Sequence, residues 1–561
     1  MSSTAALTFN KYDLLSKKIV LSSIFFCQNF VTSKAIDPKL KTSSQVTWNQ
    51  PLGYETNISI YNPLVKKKTK LVLQNENCVK WYSCGPTVYD SAHIGHASSY
   101  IRLDIIRRIL SNVFGLNVFY LMGITDIDDK IIARSNETKE DFRTLAKRYE
   151  VEFFQDLSNL NVLPPTMTVR VSDHIPEIIS FVKGIMKTDR AYKAKSGSVY
   201  FSTQKFPRYG KLRSLVDGED EEGKKSGEKE HPHDFSLWKA AKPQEPHWDS
   251  PWGPGRPGWH IECSAMASKV LGPSLDIHSG GQDLVFPHHE NEEAQSCVYH
   301  DTSQWVNYWL HTGHLQVKGD VKMSKSLKNT ISISEFLKTY TSNHLRMLCL
   351  LSPYRHGIDY STEAMKTAEN CCHRIQSFVD ECQLYLAGLK GSTDIDEPFV
   401  LKQVQETRKL VENYLADDFD TPRAMTEILK FVTSVNSMIG KPVIDAASSN
   451  VNARPVAIAS AMNFVKDIFA TLGITFASDK GGAADHQKLS SVLDATMDFR
   501  SRVREVALHP DMAAAAKPQR QQLLQSCDQF RDDLAAAGIE IKDHRSQKST
   551  WSLKDIAVTQ E

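Results

Sequence analysis

Hydrophobic and polar positions predict a strand, a turn and a helix around residue 84. An apolar-alternating run, residues 78–81, leads into a turn that carries glycine and histidine, residues 84–96 (CGPTVYDSAHIGH), and a helical pattern follows over residues 100–110. A second apolar run, residues 118–122, ends in residues 123–130 (GITDIDDK). Strand, helix and strand with short links predict a βαβ unit and a parallel sheet. Because ligands bind beyond the carboxyl ends of such strands, we expect both turns at the functional edge.

The pattern changes after a charged amphipathic helix predicted over residues 143–160. Residues 166–252 carry short strands and the polar tract 217–233, which predicts an insertion between two halves of a sheet. The sheet pattern is expected to resume after the Gly/Pro-rich residues 252–258, with residues 259–263 (WHIEC) and then a strand over residues 274–278. Pro287 predicts a helix start, so that His288 and Glu292 share one helix face.

The last third of the chain has the pattern of a helical bundle. Residues 319–329 (GDVKMSKSLKN) predict a flexible lysine-rich loop. Beyond it, long amphipathic helices with short connections are predicted over residues 362–389, 399–415, 422–439 and 456–472. Residues 489–534 are again helical and carry Arg and Lys.

Composition narrows the class of protein without giving a function. A chain of 561 residues with 41% hydrophobic and 24% charged residues is ordinary for a soluble protein of three or four domains. A net charge of +1 gives no global reason to expect nucleic acid, although a local basic face can exist under a neutral sum. Ten cysteines without paired spacing predict a reducing compartment. No apolar run reaches the roughly 18 residues of a transmembrane helix.

The first 50 residues differ from the rest. Six lysines face two aspartates, with many Ser and Thr, an apolar stretch at residues 19–26 and no arginine. This composition predicts an organelle transit peptide and leader over residues 1–50, with a disordered extension as the alternative.

Four side chains scattered along the chain have the chemistry of a zinc site. Cys84, Cys263, His288 and Glu292 offer two thiolates, an imidazole and a carboxylate. The alternative is that the two cysteines are packed small residues, since they lie far apart and no CxxC motif is present. The zinc interpretation is favoured because all three segments map to the same sheet edge.

Two pairs of basic residues predict a phosphate site. His93 and His96 begin a helix, whose positive end attracts phosphate, and Lys322 and Lys325 lie on the flexible loop. Each pair alone has an ordinary explanation, a helix cap with a core histidine or a solvated turn. Together they would surround a nucleotide triphosphate and stabilise its transition state.

Residues 93–96 (HIGH) and 322–326 (KMSKS) resemble the two signature motifs of class I aminoacyl-tRNA synthetases. Residues 84–90, 123–130, 259–266 (WHIECSAM) and 286–292 (FPHHENE) narrow the resemblance to the cysteinyl-tRNA synthetases. The similarity extends from about residue 61 to residue 422, including residues 416–422 (ADDFDTP). With its transit-like leader, the chain is similar to the mitochondrial members of that family.

The resemblance implies a fold and a reaction. The fold is an α/β Rossmann-like catalytic domain with a parallel sheet and an insertion, followed by an α-helical bundle and a tRNA-binding C-terminal region. The reaction is ATP-dependent activation of L-cysteine, with release of pyrophosphate, and transfer of the cysteinyl group to tRNA(Cys) in the mitochondrial matrix. Zn²⁺ and Mg²⁺ with ATP are the implied cofactors. No membrane association is implied, and we expect a monomer.

The resemblance also implies roles for individual residues. The zinc ligands fall on the four donors named above, and the ion binds the substrate thiol, so that no editing domain is required. The residues expected around cysteine are Gly85, Thr125, Trp259, Asp283 and His288. ATP is expected at His93, Gly95, His96 and Lys325, and the residues expected to drive catalysis are His93, His96, Lys322 and Lys325.

The implied domain plan assigns every part of the chain. Residues 51–165 and 253–292 are the two halves of the catalytic domain, residues 166–252 the connective insertion, residues 293–361 a stem-contact region with the lysine loop, residues 362–475 the bundle and residues 476–561 the C-terminal tRNA-binding region. In the last of these, residues 500–505 (RSRVRE) and 517–520 (KPQR) fit a basic RNA-facing surface.

Two departures from the family pattern bear on activity. Lys328 replaces a usual glycine after the lysine loop, and Ala133 replaces the second lysine of a KIIK motif that begins at Lys130. Some relatives make cysteine persulfides with pyridoxal phosphate at such lysines, and Ala133 argues against that secondary activity here. Two alternatives to tRNA charging are a cysteine ligase with a small amine acceptor and a non-catalytic zinc- or RNA-binding paralogue.

Overall fold

A hairpin opens the described part of the chain. The computed structural model describes residues 48–213, 227–317, 321–322, 330–388, 395–439, 454–476, 483–508, 517–536, 539–543 and 550–553. The hairpin pairs β1 (Tyr54–Asn62) with β2 (Lys67–Leu73) antiparallel. The predicted transit peptide, residues 1–47 of the leader, and most of the polar tract lie outside the described residues.

Alternating strands and helices follow, as the sequence pattern predicts. They are β3 (Cys78–Thr87), α1 (Ile94–Arg108), β4 (Asn117–Thr125), α2 (Asp129–Thr138), α3 (Phe142–Asn159), β5 (Met167–Arg170) and α4 (Ile175–Met186). Val79, Trp81, Leu121 and Ile124 on the two central strands are completely buried. Burial of this kind is typical of a parallel sheet covered by helices on both faces.

A separate four-stranded antiparallel sheet interrupts the chain next. It consists of β6 (Ala191–Lys193), β7 (Val199–Phe201), β8 (Phe235–Ala240) and β9 (Gly255–Pro257), in that spatial order. This sheet lies almost entirely within the range predicted as an insertion. β5 also falls in that range, but it pairs with β4 in the parallel sheet. The insertion therefore starts after β5 rather than at residue 166.

The parallel sheet is completed by the next segment. Its elements are α5 (Trp259–Leu271), β10 (Leu275–Gly281), α6 (Glu290–Tyr299) and β11 (Val306–Thr312). The sheet order is β11-β10-β3-β4-β5, with every neighbouring pair parallel, which confirms the predicted fold class. The expectation that residues 259–263 continue the sheet pattern is wrong, because they form the first turns of α5. β11 also carries the sheet beyond the predicted limit at residue 292.

Mostly helical elements complete the described chain. They are β12 (Leu315–Val317), β13 (Val321–Lys322), α7 (Ile333–Thr339), α8 (Ser342–Leu350), β14 (Ile358–Tyr360), α9 (Thr362–Leu386), α10 (Glu397–Ala416), α11 (Thr421–Ile439), α12 (Pro455–Thr471), α13 (Ala483–Leu508), α14 (Lys517–Ala536), β15 (Ile539–Lys542) and β16 (Thr550–Leu553). Helices α9 to α12 match the four predicted bundle helices closely. None of the helices in the described part of the chain combines the length and apolar character needed to cross a bilayer.

A buried ion network joins the sheet domain to the bundle. The Arg346 guanidinium on α8, fully buried, donates to Asp104 Oδ2 on α1 at 2.6 Å and to the Leu472 carbonyl at the end of α12 at 3.3 Å. Asp104 also accepts from Arg108 Nε at 2.8 Å and from the Leu163 amide at 2.9 Å. One carboxylate thus holds a buried cation and fixes helix α1 to the parts that follow it.

We expect Asp104→Asn to lower the free energy of unfolding by about 3–5 kcal/mol, because it leaves Arg346 buried without its counter-ion. The shift of the urea unfolding midpoint measures this loss. Asp173→Asn is the matched control, because Asp173 is exposed and lies 3.8 Å from Arg170. Its change should stay within about 1 kcal/mol. Equal effects of the two substitutions would show that the buried network does not hold the domains.

Candidate active site

The structure brings the four predicted metal donors together at the carboxyl edge of the parallel sheet. Cys84 lies near the end of β3, Cys263 on the second turn of α5, and His288 and Glu292 at the start of α6. One ligand atom from each lies within 4.8 Å of all the others, and all four residues are buried. Three separate chain segments therefore converge on one point.

The spacing of these donors fits a tetrahedral zinc ion. Two thiolates bound at about 2.3 Å across a tetrahedral angle are about 3.8 Å apart. Cys84 Sγ and Cys263 Sγ are separated by 3.9 Å, and Cys84 Sγ lies 3.6 Å from Glu292 Oε1. His288 Nε2 lies 3.0 Å from the same carboxylate oxygen. The donor set and its distances suit zinc with little rearrangement.

Ionisation within the cluster follows from burial and close pairing. Burial opposes the charge on Glu292, but His278 and His288 outweigh it and lower the pKa of Glu292 to about 2. Burial likewise opposes the charge on His288, yet Glu292 and Cys263 raise the pKa of His288 to about 10. The hydrogen bond with Cys84 lowers the pKa of Cys263 to about 6, whereas burial and Cys263 raise the pKa of Cys84. A bound cation would replace the His288 proton as the counter-charge.

Histidines around the cluster were missed by the sequence analysis. His278 and His289 form a second group of donors with Cys84 and Glu292, and His278 Nε2 lies 2.9 Å from Glu292 Oε2. His289 Nε2 lies 3.5 Å from Cys84 Sγ. His278 ends a predicted strand and His289 adjoins a predicted ligand, so their positions in the sequence already carried a signal.

The other residues expected around cysteine lie beside the cluster, with one at its margin. The Trp259 ring stacks on the His288 ring at 4.3 Å between centroids and is 37% exposed. A Cβ on Gly85 would lie 2.2 Å from the Gly123 carbonyl oxygen, so only glycine allows β3 and β4 to approach there. Asp283 is about half exposed and lies 3.9 Å from His314.

Thr125 ends β4 and contacts a residue that the sequence analysis did not select. Its Oγ1 donates a hydrogen bond to Glu262 Oε2 at 3.2 Å. Glu262 is 1% exposed. Burial, together with Cys263, Asp128 and Asp126, raises the pKa of Glu262 well above its usual range. The acidic residues thus concentrate negative potential around Thr125.

The predicted phosphate-binding histidines lie at the N-terminus of α1. His93 is the cap residue, buried, and its Nδ1 accepts a hydrogen bond from the Gly95 amide at 3.1 Å. His96 is exposed one turn later, and the two rings stack with centroids 3.8 Å apart. His93 combines the capping role with a position at the helix end that attracts anions.

The lysine loop is anchored on both sides at this edge. The backbone of Lys322 belongs to β13, which pairs with β12. After the loop, the Ile331 carbonyl accepts from the Ile94 amide at 3.0 Å, so the chain returns to the start of α1. Lys325 and Lys328 lie outside the described residues.

The C-terminal arginines do not form one RNA-facing surface. Arg500 is 2% exposed and pairs with Asp543 at 2.5 Å, and Arg504 lies 3.5 Å from the same carboxylate. Arg502 is exposed. Two of the three arginines therefore hold α13 against the C-terminal hairpin, and Arg502 is the one that faces solvent.

Comparisons with known proteins agree with this geometry. The family model described as "tRNA synthetases class I (C) catalytic domain" matches residues 70–370. A "Probable cysteine--tRNA ligase, mitochondrial" from Xenopus tropicalis is 44% identical over 529 residues, 91% of each chain. A "Cysteine--tRNA ligase" from Thermococcus onnurineus is 39% identical over 506 residues, 88% of this chain and 98% of that protein. Mycobacterium tuberculosis methionyl-tRNA synthetase bound by methionyl-adenylate shares the fold, with a TM-score of 0.55 at 13% identity over 70% of this chain and 92% of that one.

Proposed function

Because this chain belongs to the cysteine–tRNA ligases of the class I aminoacyl-tRNA synthetases and charges tRNA with cysteine, we propose that its buried cluster holds the ion that selects the amino acid. The ligands are Cys84, Cys263, His288 and Glu292, and the ion is zinc. The observation that carries the proposal is the convergence of two thiols, an imidazole and a carboxylate within 4.8 Å.

Zinc would supply selectivity for sulfur. Cysteine and serine are nearly isosteric, and a pocket that reads shape alone separates such substrates poorly. A thiolate-bearing zinc site prefers a thiol ligand over a hydroxyl. Gly85, Thr125, Trp259, Asp283 and His288 surround the remaining parts of the substrate in this proposal.

ATP would bind across the N-terminus of α1. His93, Gly95 and His96 hold its phosphates, and Lys322 and Lys325 approach from the loop, with Mg²⁺ accompanying the nucleotide. The cysteine carboxylate attacks the α-phosphorus, and pyrophosphate leaves. A nucleophilic side chain is not required, because positioning and charge neutralisation provide the rate.

The second step transfers the cysteinyl group from the adenylate to the terminal ribose of tRNA(Cys). The bundle, residues 362–475, and the C-terminal region, residues 476–561, would hold the tRNA, with Arg502 as an exposed basic contact. The lysine-rich leader and the relative labelled mitochondrial support a location in the mitochondrial matrix. We propose that the enzyme acts as a monomer.

The two steps can be tested separately. Cysteine-dependent exchange of labelled pyrophosphate into ATP measures activation, and attachment of labelled cysteine to tRNA measures transfer. We expect both, with serine inactive in the exchange. Exchange without tRNA charging would contradict the transfer step, and the absence of exchange would contradict activation.

The two alternatives from the sequence are not favoured. The relatives are cysteine–tRNA ligases, and their similarity covers about nine-tenths of the chain, including its helical part. A small amine acceptor would not need that part. We do not extend the proposal to persulfide synthesis with pyridoxal phosphate, because Ala133 cannot bind the cofactor as a lysine does.

A further inference from the structure

Glu262 lies on the face of α5 that carries two residues of the site. Positions 259, 262, 263 and 266 have the i, i+3, i+4, i+7 spacing that places residues on one helix face. Trp259 and Cys263 belong to the site described above. Met266 contacts the sheet, since a Cβ on Gly123 would lie 3.3 Å from its terminal methyl group. This face of α5 therefore packs on the carboxyl ends of β3 and β4, and Glu262 lies between its two site residues.

The hydrogen bond from Thr125 to Glu262 fixes the direction of the Thr125 hydroxyl. A threonine hydroxyl has one hydrogen and two lone pairs. Since its hydrogen points to Glu262 Oε2 at 3.2 Å, the lone pairs face away from the acid. A carboxylate and an acid protonated on Oε1 both accept at Oε2. The direction of the bond is therefore the same in both states of Glu262.

We propose that Glu262 is a positioning residue, which fixes Thr125 Oγ1 as a hydrogen-bond acceptor for the α-ammonium group of cysteine. The inference rests on the proposed cysteine site. An ammonium group offers only donors, so it requires acceptors around it. A thiol without the amino group gains nothing from this arrangement. Glu262 thus helps the site to select an amino acid, while the metal cluster selects sulfur.

The test compares Glu262→Met, which removes the acceptor at similar length, with Glu262→Gln, which keeps one carbonyl oxygen. In pyrophosphate exchange, we expect Glu262→Met to raise the KM for cysteine by about tenfold or more, because Thr125 loses its buried partner. Glu262→Gln should raise it less. The KM for ATP and the zinc content should not change. The inhibition constant of 3-mercaptopropionate, which has the thiol and carboxylate but no amine, should also stay the same.

Two further variants complete the test. Thr125→Val should raise the KM for cysteine, and adding Glu262→Met to it should cause no further rise, because both act through one hydroxyl. Lys269→Met, on an exposed position of α5, is the control and should match the parent enzyme. If Glu262→Met is insoluble, Glu262→Asp carries the same readouts with a shortened side chain.

Several outcomes would overturn the inference. Equal weakening of cysteine and 3-mercaptopropionate, a raised KM for ATP, or additive effects of the two substitutions would each show a general structural role. A normal KM in Thr125→Val would overturn both the inference and the proposed contact of Thr125 with cysteine. A raised KM in Thr125→Val with a normal KM in Glu262→Met would overturn the inference alone.

Discussion

Replacing Cys263 by serine is expected to remove most of the zinc and to lower kcat/KM for cysteine by more than about 100-fold. Residues that merely support a metal ligand typically cost roughly 10–100-fold when they are changed, so the loss of a ligand should cost more. The 3.9 Å separation of Cys263 Sγ from Cys84 Sγ identifies the two thiols as partners on one ion. Elemental analysis of the purified protein and the exchange assay measure the two effects.

Cys297→Ser is the matched control for this experiment. Cys297 is equally buried, on α6, but its thiol donates to Glu293 at 3.5 Å and lies outside the cluster. It should retain one zinc per chain and normal exchange. A Cys263→Ser enzyme that keeps a full equivalent of zinc would refute the metal site.

The second large effect is expected at His96. His96→Ala should lower the rate of cysteine activation by about 10²–10³-fold, because a preorganised donor to the developing phosphate charge is lost. The melting temperature and the KM for cysteine should not change, since His96 is exposed and lies away from the thiol cluster. Single-turnover formation of the adenylate gives the rate.

His93→Ala provides the contrast. His93 caps α1, so its loss should reduce stability by about 1 kcal/mol in addition to slowing activation. A fall in melting temperature for His93→Ala but not for His96→Ala would separate the two roles. Normal adenylate formation in His96→Ala would exclude a role in phosphate binding.

Periodicity and residue chemistry were sufficient to predict the parallel sheet, the bundle and the four donors that meet at the sheet edge. They failed at residues 259–263, where five residues are too few to separate a strand from a helix. The helical spacing becomes visible only when Met266 is included. Turn residues predicted the long loops, but they could not show that β5 returns to the parallel sheet, because strand pairing is a long-range property.

The residues that were missed act through neighbours distant in sequence. Glu262 beside Cys263 has the appearance of an ordinary surface acid, and its burial arises only when α5 packs on β4. His278 and His289 likewise gain meaning from Glu292 and Cys84. Arg500 was expected on an RNA-facing surface, but Asp543, which neutralises it, lies 43 residues further along the chain.

The separation of Cys84 and Glu292 by 208 residues has a consequence for how the protein matures. Neither the unfolded chain nor a chain that lacks α6 brings the four donors together. The entropy of closing such a loop must be met by docking β3, α5 and α6 before a metal can add its stabilisation. High-affinity metal uptake is therefore a late event in the life of each new molecule, and it marks the chains whose catalytic domain has been assembled completely.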